Sequence, residues 1–424
     1  MAANRLTPID AQTFWLSAKI PNDTVLMFGF AGVPADLERA LDEIEARAAG
    51  CPELGWRVHD GSRGYPRWVH RGVDRSQFVV HDLPGRTYEA CLAAVGTLVE
   101  RPLDATDTAW RLHVFADVLD VPGVDGPGVV AVLRISHALG GGGRTSAHAA
   151  LLFGRSGVVL PEIAPPSVGP AASVLAGIRA ARAHRALTAD VEAAVVPAQA
   201  RLRPPLRTND RPTGARAVRT VTRRRGELAA STVTVAALSA VSVSLAAELR
   251  ALGDDPSALG AEVPMAKPPP RLAHNHFGNV GVGLYPDLSP PERSAAIAGD
   301  LAARRLRAAH PAMRADDLAF ATTPAALLRW GMGRFDPNVR PPAVTGNTVV
   351  SSVKFGAADF AFGGAPVVLA TAFAGLSPMM GLTHVVGGVG DTVTIGVRAA
   401  ESALGGADGL DRYVARLDAA LATP

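Results

Sequence analysis

Residues 129–153 read VVAVLRISHALGGGGRTSAHAALLF, and the reading of this stretch decides the fold. A mostly apolar run predicts a buried strand, which meets the lone His137, then Gly140, Gly141, Gly142 and Gly143, then a helix start. Alternation puts Val130, Val132, Arg134 and Ser136 on one face and Ala131, Leu133, Ile135 and His137 on the other, so a titratable ring ends an apolar row. Such a position suits a general base. Successive glycines admit backbone angles closed to other residues and let a ligand approach the main chain closely. A strand, a glycine-rich turn and a helix can also cradle phosphate. Here no lysine follows in the Walker position, and the glycine spacing misses the dinucleotide fingerprint. The absence of Gly-x-Ser-x-Gly excludes a serine-hydrolase elbow. His137 remains as a base or as a core histidine at a tight turn.

Composition bounds the choice. At 424 residues the chain is long for one core and predicts two or three domains. With 48% hydrophobic and 19% charged residues it is an ordinary globular sequence. A formal charge of only +3 does not imply nucleic acid. Cys51 and Cys91 build neither a disulfide framework nor a zinc ligand set, so no metal is expected and a reducing cytoplasm fits. The first residues lack the basic head and apolar run of a signal peptide, and no later stretch reads as an uninterrupted spanning helix. The expectation is a soluble, cytoplasmic protein, with peripheral membrane contact left open.

Along the chain, Thr24 to Ala31 predicts a strand and Pro34 opens a helix whose stripe is Leu37, Leu41, Ile44 and Ala48. Arg75 to His81 alternates like a strand, Tyr88 to Val99 is an amphipathic helix, and Trp110 to Val118 a further strand. Beyond Phe153 come a segment rich in proline, alanine and serine at 162–172, an alanine-rich helix over 173–195, and an arginine run from Arg201 to Arg225. The arginine run reads as a solvated interdomain connector, or as a dock for phosphate or an acidic carrier domain. Then follow a helix from Leu228 to Leu252, a proline-rich loop at 264–270, a strand from His274 to Tyr285 and a helix from Pro290 to Ala309. Strands at 347–355, 365–374 and 392–398 and a helix near 408–422 complete the chain.

Several pieces, in this order, resemble the wax ester synthase/diacylglycerol acyltransferase family, within the chloramphenicol-acetyltransferase-like and condensation-domain superfamily. They are LTPIDAQTFWL, carrying Pro8 and Asp10; HDLPGRTYEACLAAVGTLVERPLDATDTAWRLHVF, carrying His81, Pro84, Pro102, Leu103, Asp104 and Trp110; NHFGNVGVGLYPDLSPPERSAAI; and NTVVSSV with GLSPMMGLTHVVGGVGDTVTIGV. The family's catalytic motif is His-His-x-x-x-Asp-Gly. Ser136 stands at the first histidine, His137 matches the second, Gly141 replaces the aspartate and Gly142 matches the glycine. The resemblance implies that His137 is the general base, and that the missing aspartate held the loop through an ionic contact.

The fold so implied is α/β, with two chloramphenicol-acetyltransferase-like sandwich subdomains and a tunnel between them. These are residues 1–185 with the motif, a crossing at 186–215, and residues 216–424. The resemblance implies an O-acyltransferase moving an acyl group from acyl-CoA or a carrier-protein pantetheine to an alcohol, with no tightly bound cofactor. Its partners would be a small hydrophobic substrate and an acyl carrier protein. Motif and tunnel residues would be Ser136, Gly140, Gly141, Gly142, Gly143, Asn279 and Asn347, with both asparagines read first as main-chain clamps. Trp110 and Asp104 read as packing and turn anchors. Arg134 is expected to pair a carboxylate of the other half, and Arg144 to meet substrate or solvent. His148 reads as a surface or core residue of its helix. The alternative is a family member without the usual transfer, acting as a cyclase or tailoring enzyme in natural-product biosynthesis, or as a hydrophobic-ligand-binding protein.

Overall fold

The computed structural model describes residues 5–61, 63–166, 170–228 and 230–422. The first half contains α1 (Pro8–Ser17), β1 (Thr24–Ala31), α2 (Leu37–Ala49), β2 (Trp56–His59), β3 (Arg67–His70), β4 (Phe78–His81), α3 (Tyr88–Val99), β5 (Trp110–Val118), β6 (Gly128–Ile135), α4 (Gly143–Leu152) and α5 (Pro170–Glu192). The second contains β7 (Arg216–Arg224), α6 (Val233–Ala251), β8 (Gly260–Ala266), β9 (Phe277–Gly283), α7 (Pro290–Ala308), α8 (Pro311–Ala321) and α9 (Ala325–Arg334). It ends with β10 (Thr348–Gly356), β11 (Ala361–Phe362), β12 (Ala365–Phe373), β13 (Leu382–Val389), β14 (Thr392–Ala400) and α10 (Gly409–Ala422).

Two six-stranded, mostly antiparallel sheets organise these elements, in the orders β11-β12-β1-β6-β5-β4 and β7-β14-β13-β10-β8-β9. β6 lies between β1 and β5 and is buried along all eight residues, and all of them but Arg134 are apolar or glycine on both faces. One face of the first sheet packs Phe28, Phe30, Leu133 and Phe153; the other packs Val130 and Val132 against Cys91 and Val95 of α3. The second core gathers around α6, with Leu238, Leu245 and Leu249 against Val386, Ile395 and Tyr413.

The halves are interleaved. β12 lies in the segment assigned by sequence to the second half, yet it pairs antiparallel with β1 from Val25↔Phe373 to Phe30↔Val367. It also crosses the face of the second sheet so closely that a Cβ on Gly387 would strike the Ala370 carbonyl, and one on Gly396 the Ala372 carbonyl. Thr371 Oγ1 sits in this contact and donates to the carbonyls of Val385 (3.3 Å) and Thr394 (3.2 Å).

Four local expectations change. Arg75–Gln77 is a 3₁₀ turn capped by Asp74, and only Phe78–His81 is strand. The helix expected from Pro34 starts at Leu37, where Asp36 accepts from Arg39 N at 2.9 Å. The arginine run is not all connector, because Arg216–Arg224 is β7, an edge strand on β14. Its arginines reach acidic residues of α10: Arg219 Nε lies 2.7 Å from Asp411, and Arg223 pairs with Asp418. The loop expected at 264–270 begins later, since β8 runs to Ala266. Pro264 is accommodated because β10 pairs with β8 only at Ala261 and Glu262, leaving one flank of Pro264 without a ladder partner.

α6 has the length and apolar composition to cross a membrane, unlike the sequence expectation, but 67% of its apolar window is buried as a core helix. Filling the sheet contact is expected to destabilise the fold. Gly387→Ala should cost at least about 1–3 kcal/mol, read as a lower urea midpoint, because the added carbon meets backbone rather than a movable side chain.

Candidate active site around His137

The site starts where β6 ends. Ser136 N donates to Ala109 O at 2.7 Å, and Ser136 Oγ accepts from Ala138 N at 3.3 Å. This cap turns the chain into a single 3₁₀ turn, His137–Leu139, so His137 stands on a turn beyond the strand. Gly140 (φ 125°, ψ 171°) and Gly142 (φ 53°, ψ −114°) then take backbone angles that require glycine, and α4 begins at Gly143.

Two polar assemblies hold this turn. The first reaches across the molecule. Asp10 of α1 is 1% exposed and accepts from Thr7 Oγ1 (2.8 Å), His274 N (3.0 Å), Asn275 N (3.0 Å) and Asn275 Nδ2 (3.1 Å). Asn275 Nδ2 also donates to the His137 carbonyl at 2.6 Å. Residues 274–277 lead into β9 of the second sheet, and the Phe277 ring meets the His137 imidazole edge to face at 5.6 Å. The turn that carries His137 is thus gripped by both halves.

The second assembly lies beneath the glycines. Arg144 is 3% exposed and forms a forked pair with Glu53, with Nε to Oε2 at 3.2 Å. It also donates to Pro161 O. His148 Nε2 contacts the same carboxylate at 3.1 Å. Burial alone would raise the Glu53 pKa, but the His148 hydrogen bond and the charge and hydrogen bonds of Arg144 outweigh it and bring the carboxyl to about 2. Gly140 makes room for this pair, since a Cβ there would lie 2.8 Å from Arg144 Cδ.

His137 itself is half-buried. Desolvation pushes its pKa down to about 4, opposed by the negative charge of Asp10. The imidazole is neutral near pH 7 and available to accept a proton. Its Nε2 faces Gly141, where an added Cβ would stand 2.7 Å away. Gly142 and Gly143, next along the turn, are exposed, with open space at both. Cavities of about 680 and 580 Å³ lie elsewhere, one among α6, α7 and α10 and one beside β7 and β12; among the described residues His137 lines neither.

The sequence-predicted residues divide accordingly. Ser136, His137 and Gly140 to Gly143 come together. Asn347 is instead a buried clamp in the second half, donating to Pro204 O (2.9 Å) and Asn209 Oδ1 (3.0 Å) and accepting from Gly260 N (3.2 Å). Asn279 is exposed on β9 and donates to Glu262 at 2.5 Å. Arg134 pairs within its own half, with Asp23 at 3.1 Å, rather than across. Arg144 meets neither substrate nor solvent but Glu53. His148 is a core residue. Trp110 is fully buried with Nε1 donating to Leu54 O at 2.7 Å, and Asp104 organises a turn at Thr106. Sequence reasoning missed Asn275 and Glu53. The one available signal for Asn275 was a polar triplet, His274-Asn275-His276, at the mouth of an otherwise apolar strand. Among the described residues no cluster of three His, Cys, Asp or Glu side chains is arranged to hold a metal ion.

The geometry belongs to a known architecture. The chain superposes on the wax ester synthase/diacylglycerol acyltransferase from Marinobacter aquaeolei VT8 with a TM-score of 0.64 at 17% identity, covering 99% of this chain and 98% of that one. The first condensation domain of the CDA synthetase follows at 0.57 and 16%, covering 100% and 97%. The starter condensation domain of rhizomide synthetase, solved in complex with C8-CoA and Leu-SNAC, gives 0.57 at 13%, covering 99% and 94%. No model of a known protein family matches the sequence, and no curated protein does. The chain therefore has the two-subdomain, chloramphenicol-acetyltransferase-like fold, and its structural neighbours are acyl-transferring and condensing enzymes.

Two outcomes are expected. Gly141→Asp, which introduces the aspartate of the resembled motif, should lower rather than raise any activity, because even its Cβ displaces the His137 ring; single-turnover rates and the ring's NMR titration read the effect. Glu53→Ala should cost about 3–5 kcal/mol in denaturant unfolding, since it strands a buried Arg144. The folded-state carboxyl lies below its ordinary value of 4.5, so the wild-type pair stabilises fully above that value. The stability is lost as pH falls toward about 2.

Proposed function

We propose that the protein is an O-acyltransferase that moves an acyl group from an acyl thioester, either acyl-CoA or a carrier-protein pantetheine, to an alcohol. The observation that carries this reading is the placement of His137. Its imidazole is neutral and desolvated, its Nε2 is turned to the side of Gly141 that carries no side chain, and its main chain is anchored by Asn275 from the opposite half. In the reaction the acceptor hydroxyl gives its proton to Nε2 as its oxygen bonds to the thioester carbonyl carbon. The tetrahedral adduct then collapses, the C–S bond breaks, and the proton passes from the imidazolium to the leaving thiolate. No acyl-enzyme is needed. The Asp10 charge favours the transient imidazolium, while burial disfavours it in the resting state. The fold supports the reading, since a neighbour was solved with C8-CoA. The expected setting is cytoplasmic, with a hydrophobic acceptor and a carrier protein as partners. Specialised-metabolite tailoring or simple binding of a hydrophobic ligand is the second reading, motivated by glycine in the aspartate position.

Acyl-thioester turnover with long-chain alcohols separates the two. His137→Ala should reduce kcat/KM by roughly 10²–10⁴-fold; equal rates for variant and wild type would remove His137 as the base. The base works deprotonated, so activity should hold as pH falls below the ordinary histidine value of 6.5 and drop only as pH passes through about 4.

A further inference from the structure

Asn275 contains an acceptor that the fold leaves unused. The side chain is 4% exposed, and its amide orientation is fixed because both groups it bonds, Asp10 Oδ1 and the His137 carbonyl, are acceptors and demand the NH₂. The carbonyl oxygen must therefore point the other way, and there it has no hydrogen-bond partner. A buried amide oxygen without a donor is costly, of the order of a kilocalorie per mole or more. This oxygen lies 3.3 Å from the Cβ position of Gly141, the same point that His137 Nε2 approaches to 2.7 Å. His137 Nε2 and the orphan oxygen thus border the same side of Gly141, the side that carries no side chain, and lie no more than about 6 Å apart. Gly142 and Gly143, the next two residues, face open space.

We propose that Asn275 Oδ1 is a specificity-determining contact for the acceptor substrate, which carries a second hydrogen-bond donor on the carbon next to the reacting hydroxyl. This rests on the acyltransferase reading. The reacting hydroxyl donates to His137 Nε2, and the neighbouring hydroxyl or amine donates to Asn275 Oδ1. A simple primary alcohol satisfies only the first and leaves the amide oxygen unpaired on binding. The preferred acceptors are vicinal diols or vicinal amino alcohols, and chemistry at the reacting carbon is unchanged.

The test compares four acceptors of one chain length with the full-length protein and an acyl-CoA donor: the primary alcohol, its vicinal diol, its vicinal amino alcohol, and the diol's methyl ether at the neighbouring oxygen. Wild type should favour the diol or the amino alcohol over the ether and the plain alcohol by roughly ten- to a hundredfold in kcat/KM. Which of the two leads identifies the donor. In Asn275→Ala that preference should collapse to within about twofold, whereas a purely structural role would lower all four rates together and keep their ratio. The ether comparison stands on wild type alone should the variant fail to fold. Turnover without preference between diol and ether overturns the inference and leaves the acyltransferase reading intact. Absence of turnover with every acceptor overturns both.

Discussion

Asp10 is a carboxylate almost wholly removed from water, and the architecture around His137 depends on how its charge is satisfied. A buried carboxylate is tolerated only with a full set of donors. Its four donors come from two places far apart in the chain: Thr7, three residues before it in the cap of α1, and His274 and Asn275 at the entrance to β9. Satisfying one charge therefore docks the first helix on the second half. Asn275, once held by Asp10, has its NH₂ directed at the His137 carbonyl. Ring position, domain docking and the orphan oxygen are consequences of the same hydrogen-bond set. The arrangement is tight because no member can rotate without unpairing another.

The Glu53–Arg144–His148 cluster does different work. It lies under Gly140 and fixes the start of α4 to the turn before β2, using a side-chain fork in a site 3% exposed at Arg144. An ion pair with this burial recovers its desolvation cost only with good geometry and further hydrogen bonds, and here Pro161 O and His148 supply them. The resemblance assigned loop-holding to an aspartate inside the motif. In this chain the ionic contact that holds the loop comes from Glu53, outside the motif, and the motif position is released.

What the sequence disclosed follows from what is local. β1, β5 and α3 were legible to the residue because burial on one or both faces writes a period into the chain, and caps such as Thr87 mark the ends. The turn that carries His137 was legible in the run of glycines that follows an apolar strand, although His137 itself stands on that turn and not in the strand row. The placement of β12 beside β1 was not, since an apolar strand at 365–374 carries no mark of which sheet it joins; only the glycines at 387 and 396, meaningless until the partner is known, record the close crossing. Arg219 and Arg223 of β7 read as part of a solvated run because the acidic residues that pair them stand on α10, almost two hundred residues away. Asn275 was invisible for the same reason: its function is defined by Asp10, 265 residues earlier.

This leaves the meaning of Gly141. Read along the sequence, glycine in place of aspartate is erosion, a loop that lost its anchor and with it the assurance of catalysis. In three dimensions two facts oppose that view. The anchor exists elsewhere, in Glu53 and Arg144, so the loop does not need the aspartate. The imidazole stands so close to Gly141 that a Cβ there would lie 2.7 Å from Nε2, so the loop does not accommodate a side chain at this position. A degenerate site relaxes toward indifference at the lost position, whereas this position is constrained to a single residue type by the ring, by Asn275 Oδ1 and by the glycine-only angles on either side at Gly140 and Gly142. The glycine is thus part of the packing that sets His137 beside Asn275, and not a position left free to vary.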